Sequence, residues 1–233
     1  QNASGSNTLH VEQGTKNNAT LWQFSTSGSN SVTLKQSNNS TVDLYQFSGG
    51  SNNANLTQTA GSAAKLYQAA VGTNSAILNQ NGYSTVDLYQ VAGDSNSAEL
   101  IQDSYSKACL NQNAISGSNS LILSQGNFST LNLIQSAGNS NSANLTQGNS
   151  SSAVLEQAAG GTNNAKLVQG NGSSINLYQN SLCSNQADLL LNGQKSKVLL
   201  KQTAPFGSNS VDIDQNGERN SLIGAGISLL GKV

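Results

Sequence analysis

The sequence predicts an all-β fold, a β-solenoid of β-arch type with two strands in each rung of 22–23 residues. Three observations predict it. A seven-residue phrase alternates apolar and polar positions with period two, the mark of a strand with one buried face. The phrase recurs along nearly the whole chain, which is the signature of a stacked repeat architecture. Short links, many of them containing glycine, separate the copies.

Asn74–Gln90 shows the unit most plainly. Its first phrase is Asn74-Ser75-Ala76-Ile77-Leu78-Asn79-Gln80, and its second is Ser84-Thr85-Val86-Asp87-Leu88-Tyr89-Gln90. The closing Gln recurs at 13, 23, 36, 46, 58, 68, 80, 90, 102, 112, 125, 135, 147, 157, 169, 179, 202 and 215, and Leu191 closes one further copy. Intervals alternate between 10 residues and 12 or 13, with one slip between 191 and 202, so the true unit is a pair of phrases. First phrases open with Asn from Asn7 to Asn209. Second phrases open with Ser from Ser40 to Ser196, Asn17 being the departure. The fifth position is Leu in 17 copies, with Val11 and Ile213 in the other two.

A strand–turn–strand unit of this size cannot bury its apolar side alone, so the pairs must stack. Each pair forms one rung, and equivalent strands of about 9.5 to 10 rungs pair in parallel and in register, ~4.8 Å apart. Positions 1, 3, 5 and 7 then face inward, which gives a core ladder of Asn74, Ala76, Leu78 and Gln80 opposite Ser84, Val86, Leu88 and Gln90. Burying an unpaired amide costs about 1–3 kcal/mol. Stacking removes that cost, because each Asn or Gln can donate to its copy in the next rung. Links inside a pair have three residues, and those between pairs have five or six. Glycine in the longer links is expected to supply the positive φ of a tight reversal. The lone proline, Pro205, falls in such a link.

Two outward columns stand out. Asp43, Lys65 and Asp87 alternate in sign over three consecutive rungs. Trp22, Tyr45, Tyr67, Tyr89 and Tyr178 share another column, an outer aromatic ladder that either stabilises stacking or offers a lateral surface to fibrils or polysaccharide.

The chain divides into a short N-terminal segment (1–6), the repeat region (7–215) and a degenerate final half-repeat with a tail (216–233). The tail could finish a tenth rung, dock on the side of the rod or act as a weak cap. The first phrase begins almost at the terminus, so nothing is expected to cap it. Open end rungs expose unpaired strand edges, a template for another chain. The polymerisation edges are therefore Asn7, Leu9, Val11 and Gln13 at one end and Asn209, Val211, Ile213 and Gln215 at the other. A contact between these two unlike ends is heterologous and does not close, so it grows into a cross-β fibre.

Composition narrows the function classes. Charged residues are 9% and the net charge is −1, giving no footprint for nucleic acid or an anionic membrane. No apolar run reaches the ~20 residues a spanning helix takes, and no secretory signal stands at Gln1. The single histidine, His10, and scattered carboxylates give no catalytic site, no metal site and no cofactor site; no phosphate loop, HExxH or GxSxG motif occurs. Cys109 and Cys183 lie several rungs apart, beyond the ~7 Å Cα limit of a disulfide, and are expected to be free thiols. Calcium nonapeptide and regular Thr-x-Thr ice-binding patterns are missing.

The arrangement Ser-x5-Gln, glycine-containing arc, Asn-x-Ala-x3-Gln resembles the curlin repeat. It stands here as Ser84…Gln90, Val91-Ala92-Gly93-Asp94-Ser95, Asn96-Ser97-Ala98…Gln102, and again as Ser62…Gln68 to Asn74…Gln80 and Ser151…Gln157 to Asn163…Gln169. The likeness covers about residues 7–215, with arcs a residue or two longer than the compact x-Gly-x-Gly form. The resemblance implies a secreted bacterial subunit of curli, the functional amyloid of biofilm matrix, found as an extracellular cell-surface fibre. It implies itself as main partner, a nucleator subunit, secretion and chaperone machinery, and contacts with matrix polysaccharide or host matrix proteins. The alternatives are the minor nucleating subunit, suggested by five of ten Lys and Arg residues lying beyond 194, and a monomeric adhesin or ice- or carbohydrate-binding solenoid.

Overall fold

The computed structural model describes residues 2–228. Its strands form two parallel sheets, and the chain crosses from one to the other and back in every rung. The odd sheet holds β1 (Asn2–Ala3), β3 (Asn18–Ser25), β5 (Thr41–Ser48), β7 (Ala63–Ala70), β9 (Thr85–Ala92), β11 (Lys107–Ala114), β13 (Thr130–Ala137), β15 (Ser152–Ala159), β17 (Ser174–Ser181), β19 (Lys197–Ala204) and β21 (Ser221–Ser228). The even sheet holds β2 (Asn7–Gln13), β4 (Asn30–Gln36), β6 (Asn52–Gln58), β8 (Asn74–Gln80), β10 (Asn96–Gln102), β12 (Asn119–Gln125), β14 (Ser140–Gln147), β16 (Thr162–Gln169), β18 (Ser184–Leu191) and β20 (Ser208–Gln215). This is the β-solenoid of about ten rungs that the repeat predicts, without a helix among the described residues.

Register follows the phrase residue for residue. Asn74, Leu78 and Gln80 lie opposite Asn96, Leu100 and Gln102, while Val86, Leu88 and Gln90 lie opposite Ala108, Leu110 and Gln112. A one-residue slip would turn every Leu and Gln outward, so burial itself holds the register. One apolar core runs from Val32 to Leu200, with Leu78, Leu100, Leu110, Leu133 and Leu155 fully buried.

The odd strands run further than the phrase suggests. They begin at its second position and continue two residues beyond Gln, so a ninth position also points inward. Ala92, Ala114 and Ala204 fill that column and are buried, lining the inside of the longer arc. The opening Ser sits just outside each odd strand and is buried at the mouth of the short arc. Except at Ser106, its hydroxyl donates to a carbonyl of the rung before, as from Ser84 to Thr59 (3.0 Å) and from Ser62 to Ser37 (2.7 Å).

The reversal with positive φ falls in the other arc from the one expected. Lys16, Asn39, Gly61, Tyr83, Tyr105, Phe128, Ser150, Gly172, Lys195 and Arg219, each just before the second phrase, take φ between 55° and 76°. A three-residue link has to turn within one left-handed residue, whereas five or six residues spread the same turn. Glycine in the longer arc serves close approach instead: a Cβ on Gly93 would lie 2.2 Å from the Val71 carbonyl oxygen.

Both ends differ from expectation. β1 pairs with the last two residues of β3, Asn2 opposite Phe24 and Ala3 opposite Ser25. The N-terminal segment therefore guards one corner of the first rung, which corrects the reading that nothing covers it; β2 remains an edge strand. At the far end β21 pairs in register with β19 and finishes the tenth rung, the first of the three arrangements considered. Gly224 and Gly226 occupy the positions of Leu and Gln there. The column is thus short of side chains, and Val211 and Ile213 are left 41% and 37% exposed. A Cβ on Gly224 meets nothing within 4 Å. Gly224→Leu with Gly226→Gln is expected to protect the amides of β20 from hydrogen exchange by about 2 kcal/mol, the worth of one buried Leu. Unchanged exchange would show that the tenth rung is not closed in this way.

Candidate functional site: amide ladders and open end rungs

Three amide ladders run along the rod. The Asn ladder starts at Asn7, whose Nδ2 donates to Asn30 Oδ1 at 2.9 Å, and continues through Asn52, Asn74, Asn96, Asn119, Asn141, Asn163 and Asn185 to Asn209. Each step points toward the C-terminal end. The same Nδ2 also reaches across to the odd sheet, as from Asn74 to the Val91 carbonyl at 2.6 Å. Asn is therefore fixed at position 1 because it ties neighbouring rungs and both sheets together.

The odd-sheet Gln ladder points the opposite way. Gln46 donates to Gln23, and the series continues through Gln68, Gln90, Gln112, Gln135, Gln157 and Gln179 to Gln202, at 2.8–2.9 Å throughout. Its second amide hydrogen goes to the facing even strand, as from Gln90 to the Ser97 carbonyl at 3.2 Å. Buried amides with both hydrogens used are stabilising rather than costly.

The even-sheet ladder links Gln13 through Gln80 to Gln169, with Gln80 3.2 Å from Gln58 and 3.0 Å from Gln102. Leu191 then interrupts it. Gln169 Oε1 is buried without a hydrogen-bond partner beside it, and Gln215 is cut off from the rest of its column. Glycine at 226 likewise ends the odd ladder at Gln202. Both Gln ladders thus fail near the C-terminal end, while the Asn ladder reaches the last even strand.

The even sheet ends on β2 and β20, and the odd sheet on β1 and β21. β2 carries Asn7 and Gln13 buried, with Leu9 and Val11 half-buried; β20 carries Asn209 half-buried, with Val211, Ile213 and Gln215 exposed. The core ladder residues Asn74, Ala76, Leu78, Gln80, Ser84, Val86, Leu88 and Gln90 all lie inside, each at most 3% exposed.

The aromatic column is only partly continuous. Trp22 and Tyr45 stack at 4.1 Å, and Tyr67 and Tyr89 at 5.1 Å, with a tilted step of 6.4 Å between Tyr45 and Tyr67. Tyr178 shares the column but not the ladder, because Asn111, Ile134 and Glu156 separate it from Tyr89. Identical side-chain positions do not touch unless consecutive rungs fill them. Two further stacks escaped the phrase: Phe24 on Phe47 at 5.0 Å, and Tyr83–Tyr105–Phe128 at 5.1 Å per step on the short arc. Only a rung-by-rung alignment extended into the links would have found them. In the near-parallel steps the rings lie face to face along the rod and present mainly edges to solvent.

Asp43, Lys65, Asp87 and then Cys109 occupy successive rungs of one column. The thiols of Cys109 and Cys183 are both free and exposed. Partial burial, and after it the Asp87 carboxylate, push the Cys109 thiol up from its usual range. Its thiolate fraction at neutral pH is low, so maleimide labelling of Cys109 is expected to rise about tenfold for each pH unit from about 7 to 9. A profile that levels off below about pH 9 would show that the Cys109 thiol is not raised.

No family model matches the chain, and neither a curated protein nor a solved structure matches it.

Proposed function

We propose that this protein is a structural fibre subunit of curli type, an extracellular functional amyloid of bacterial biofilm matrix that grows by end-to-end stacking. One observation carries the reading: the Asn ladder and the even-sheet strand register continue unbroken to edge strands at both ends, β2 and β20. A second copy placed end to end can repeat the contacts already made nine times within the chain in the even sheet. Asn7 Oδ1 faces the direction from which every interior Asn receives a hydrogen bond, so the Asn ladder of one copy leads into the next. A strand edge of this kind is a template rather than a closed surface. Partners in this reading are further copies, a nucleator, export machinery and matrix components.

The minor nucleating subunit is the second reading, favoured by the glycines of β21 and the break at Leu191, which weaken one end. Electron microscopy with seeding separates these. Purified chain that forms unbranched fibres, and whose fragments seed fresh chain, supports the main subunit. Chain that stays short yet accelerates a different subunit supports the nucleator, and a persistent monodisperse rod contradicts both.

A further inference from the structure

The two edge strands carry an unusual share of charge for this chain, and their charges meet in one register. Extending the even sheet by one strand places β2 of a second copy on β20, in the pairing that β20 already makes with β18. The second copy's Asn7, Leu9, Val11 and Gln13 then lie opposite Asn209, Val211, Ile213 and Gln215. On the outer face, its His10 lies opposite Asp212, and its Glu12 opposite Asp214.

We infer that this junction between copies is a proton-sensitive contact, in which His10 and Glu12 of one copy meet Asp212 and Asp214 of the other, so that end-to-end association strengthens as pH falls. The inference rests on the end-to-end reading above. Other charges stand near the junction within each copy. Lys35 Nζ lies 3.3 Å from Glu12 Oε1 in the first rungs, and Lys166 is the register neighbour of Asp188 in the last ones. Thr33, the β4 neighbour of His10, and Leu190, the β18 neighbour of Asp214, carry no charge. Asp188, a further carboxylate, is the β18 neighbour of Asp212, so no cation neighbours Asp212 or Asp214 in that pairing, and the one group across the junction that can gain positive charge is His10, whose Nε2 stands 3.5 Å from Glu12 Oε1.

The sign is the same for both pairs. Docking brings two carboxylates to the imidazole, which favours its protonated form. Docking also sets Glu12 and Asp214 at strand spacing, ~4.8 Å, where two carboxylates hold a proton more readily than one. The joined state binds more protons than the separate chains, so association gains as pH falls. At high pH and low salt the docking Glu12, only partly offset by Lys35, meets Asp212 and Asp214 as a net negative cluster; salt screens that repulsion.

The test is the critical concentration of the full chain growing on its own seeds at low ionic strength. It is expected to be about tenfold lower near pH 5.5 than near pH 8, the effect of about one pK unit of coupling. Asp214→Asn combined with His10→Gln should lower the critical concentration at pH 8 and flatten the pH dependence. Asp43→Asn, on the outer face of β5 away from the junction, should leave the dependence intact. Equal growth at both pH values, persistence of the full effect in the double variant, or its loss in Asp43→Asn overturns the inference while leaving end-to-end growth in place. An absence of fibres at every pH overturns the end-to-end reading itself.

Discussion

Leu9→Lys with Val11→Lys is expected to reduce fibre elongation at least about a hundredfold while leaving the isolated chain folded. Both side chains point inward on β2 but are only half-buried, because among the described residues no strand pairs with β2 on the side away from β4. In the separate chain a lysine there can lift its ammonium group to water. Once β20 of another copy docks, the same group is trapped in an apolar layer without a partner, at a cost of about 3–5 kcal/mol. That penalty falls on association and scarcely on folding. The same change deep in the rod, at the fully buried Leu78, would unfold the chain. Seeded growth followed by dye-free turbidity checks the prediction. Traces of the variant should also cap wild-type seeds, since its β20 end remains competent. Growth at the wild-type rate would show that fibres form through some other surface.

The second large effect is Gln90→Ala. Gln90 donates to Gln68 at 2.8 Å and to the Ser97 carbonyl at 3.2 Å, and accepts from Gln112 at 2.9 Å. Alanine leaves an acceptor on Gln68 and a donor on Gln112 unsatisfied, takes the side-chain donor from the Ser97 carbonyl, and opens a cavity besides. The expected loss is about 3–4 kcal/mol. Tyr89→Ala, one residue away on the outer face, removes one stacking partner of Tyr67 and should cost about 1 kcal/mol. Denaturant midpoints of the two variants compare them directly. Equal losses would mean that the Gln column is not inside.

Much of this was legible because the repeat reports burial directly. Period two gave the inner face, and Asn and Gln recurring at fixed positions marked amides that must stack, since nothing else excuses their burial. What remained hidden lies where a side chain's role depends on its neighbours along the rod rather than along the chain. Tyr178 has the right position but the wrong neighbours, Glu156 and Lys201. Leu191 reads as a conservative inward residue, yet it strands Gln169 Oε1. Ala92 reads as part of a link, because the strict phrase stops at Gln90 while the strand does not. Glycine misled in the longer arc, where contact between rungs, and not backbone handedness, selects it. The brief β1 pairing rests on two residues that carry no phrase at all.

β1 also bears on growth. A second copy's β21 in continuous register would reach Phe24 and Ser25, the residues β1 holds in the separate chain. Elongation at that end thus includes displacing a two-residue strand, a small barrier beside the burial gained by a full rung.

The most direct test of the central claim is a helical reconstruction of the fibre at side-chain resolution. The inward apolar columns of the even sheet should continue through the subunit boundary at ~4.8 Å steps, Val211 and Ile213 of β20 in one copy against Leu9 and Val11 of β2 in the next, with a boundary every ten rungs, roughly 48 Å. Rods lying side by side with their end rungs facing solvent, or a boundary at which the even-sheet register is broken, would contradict it.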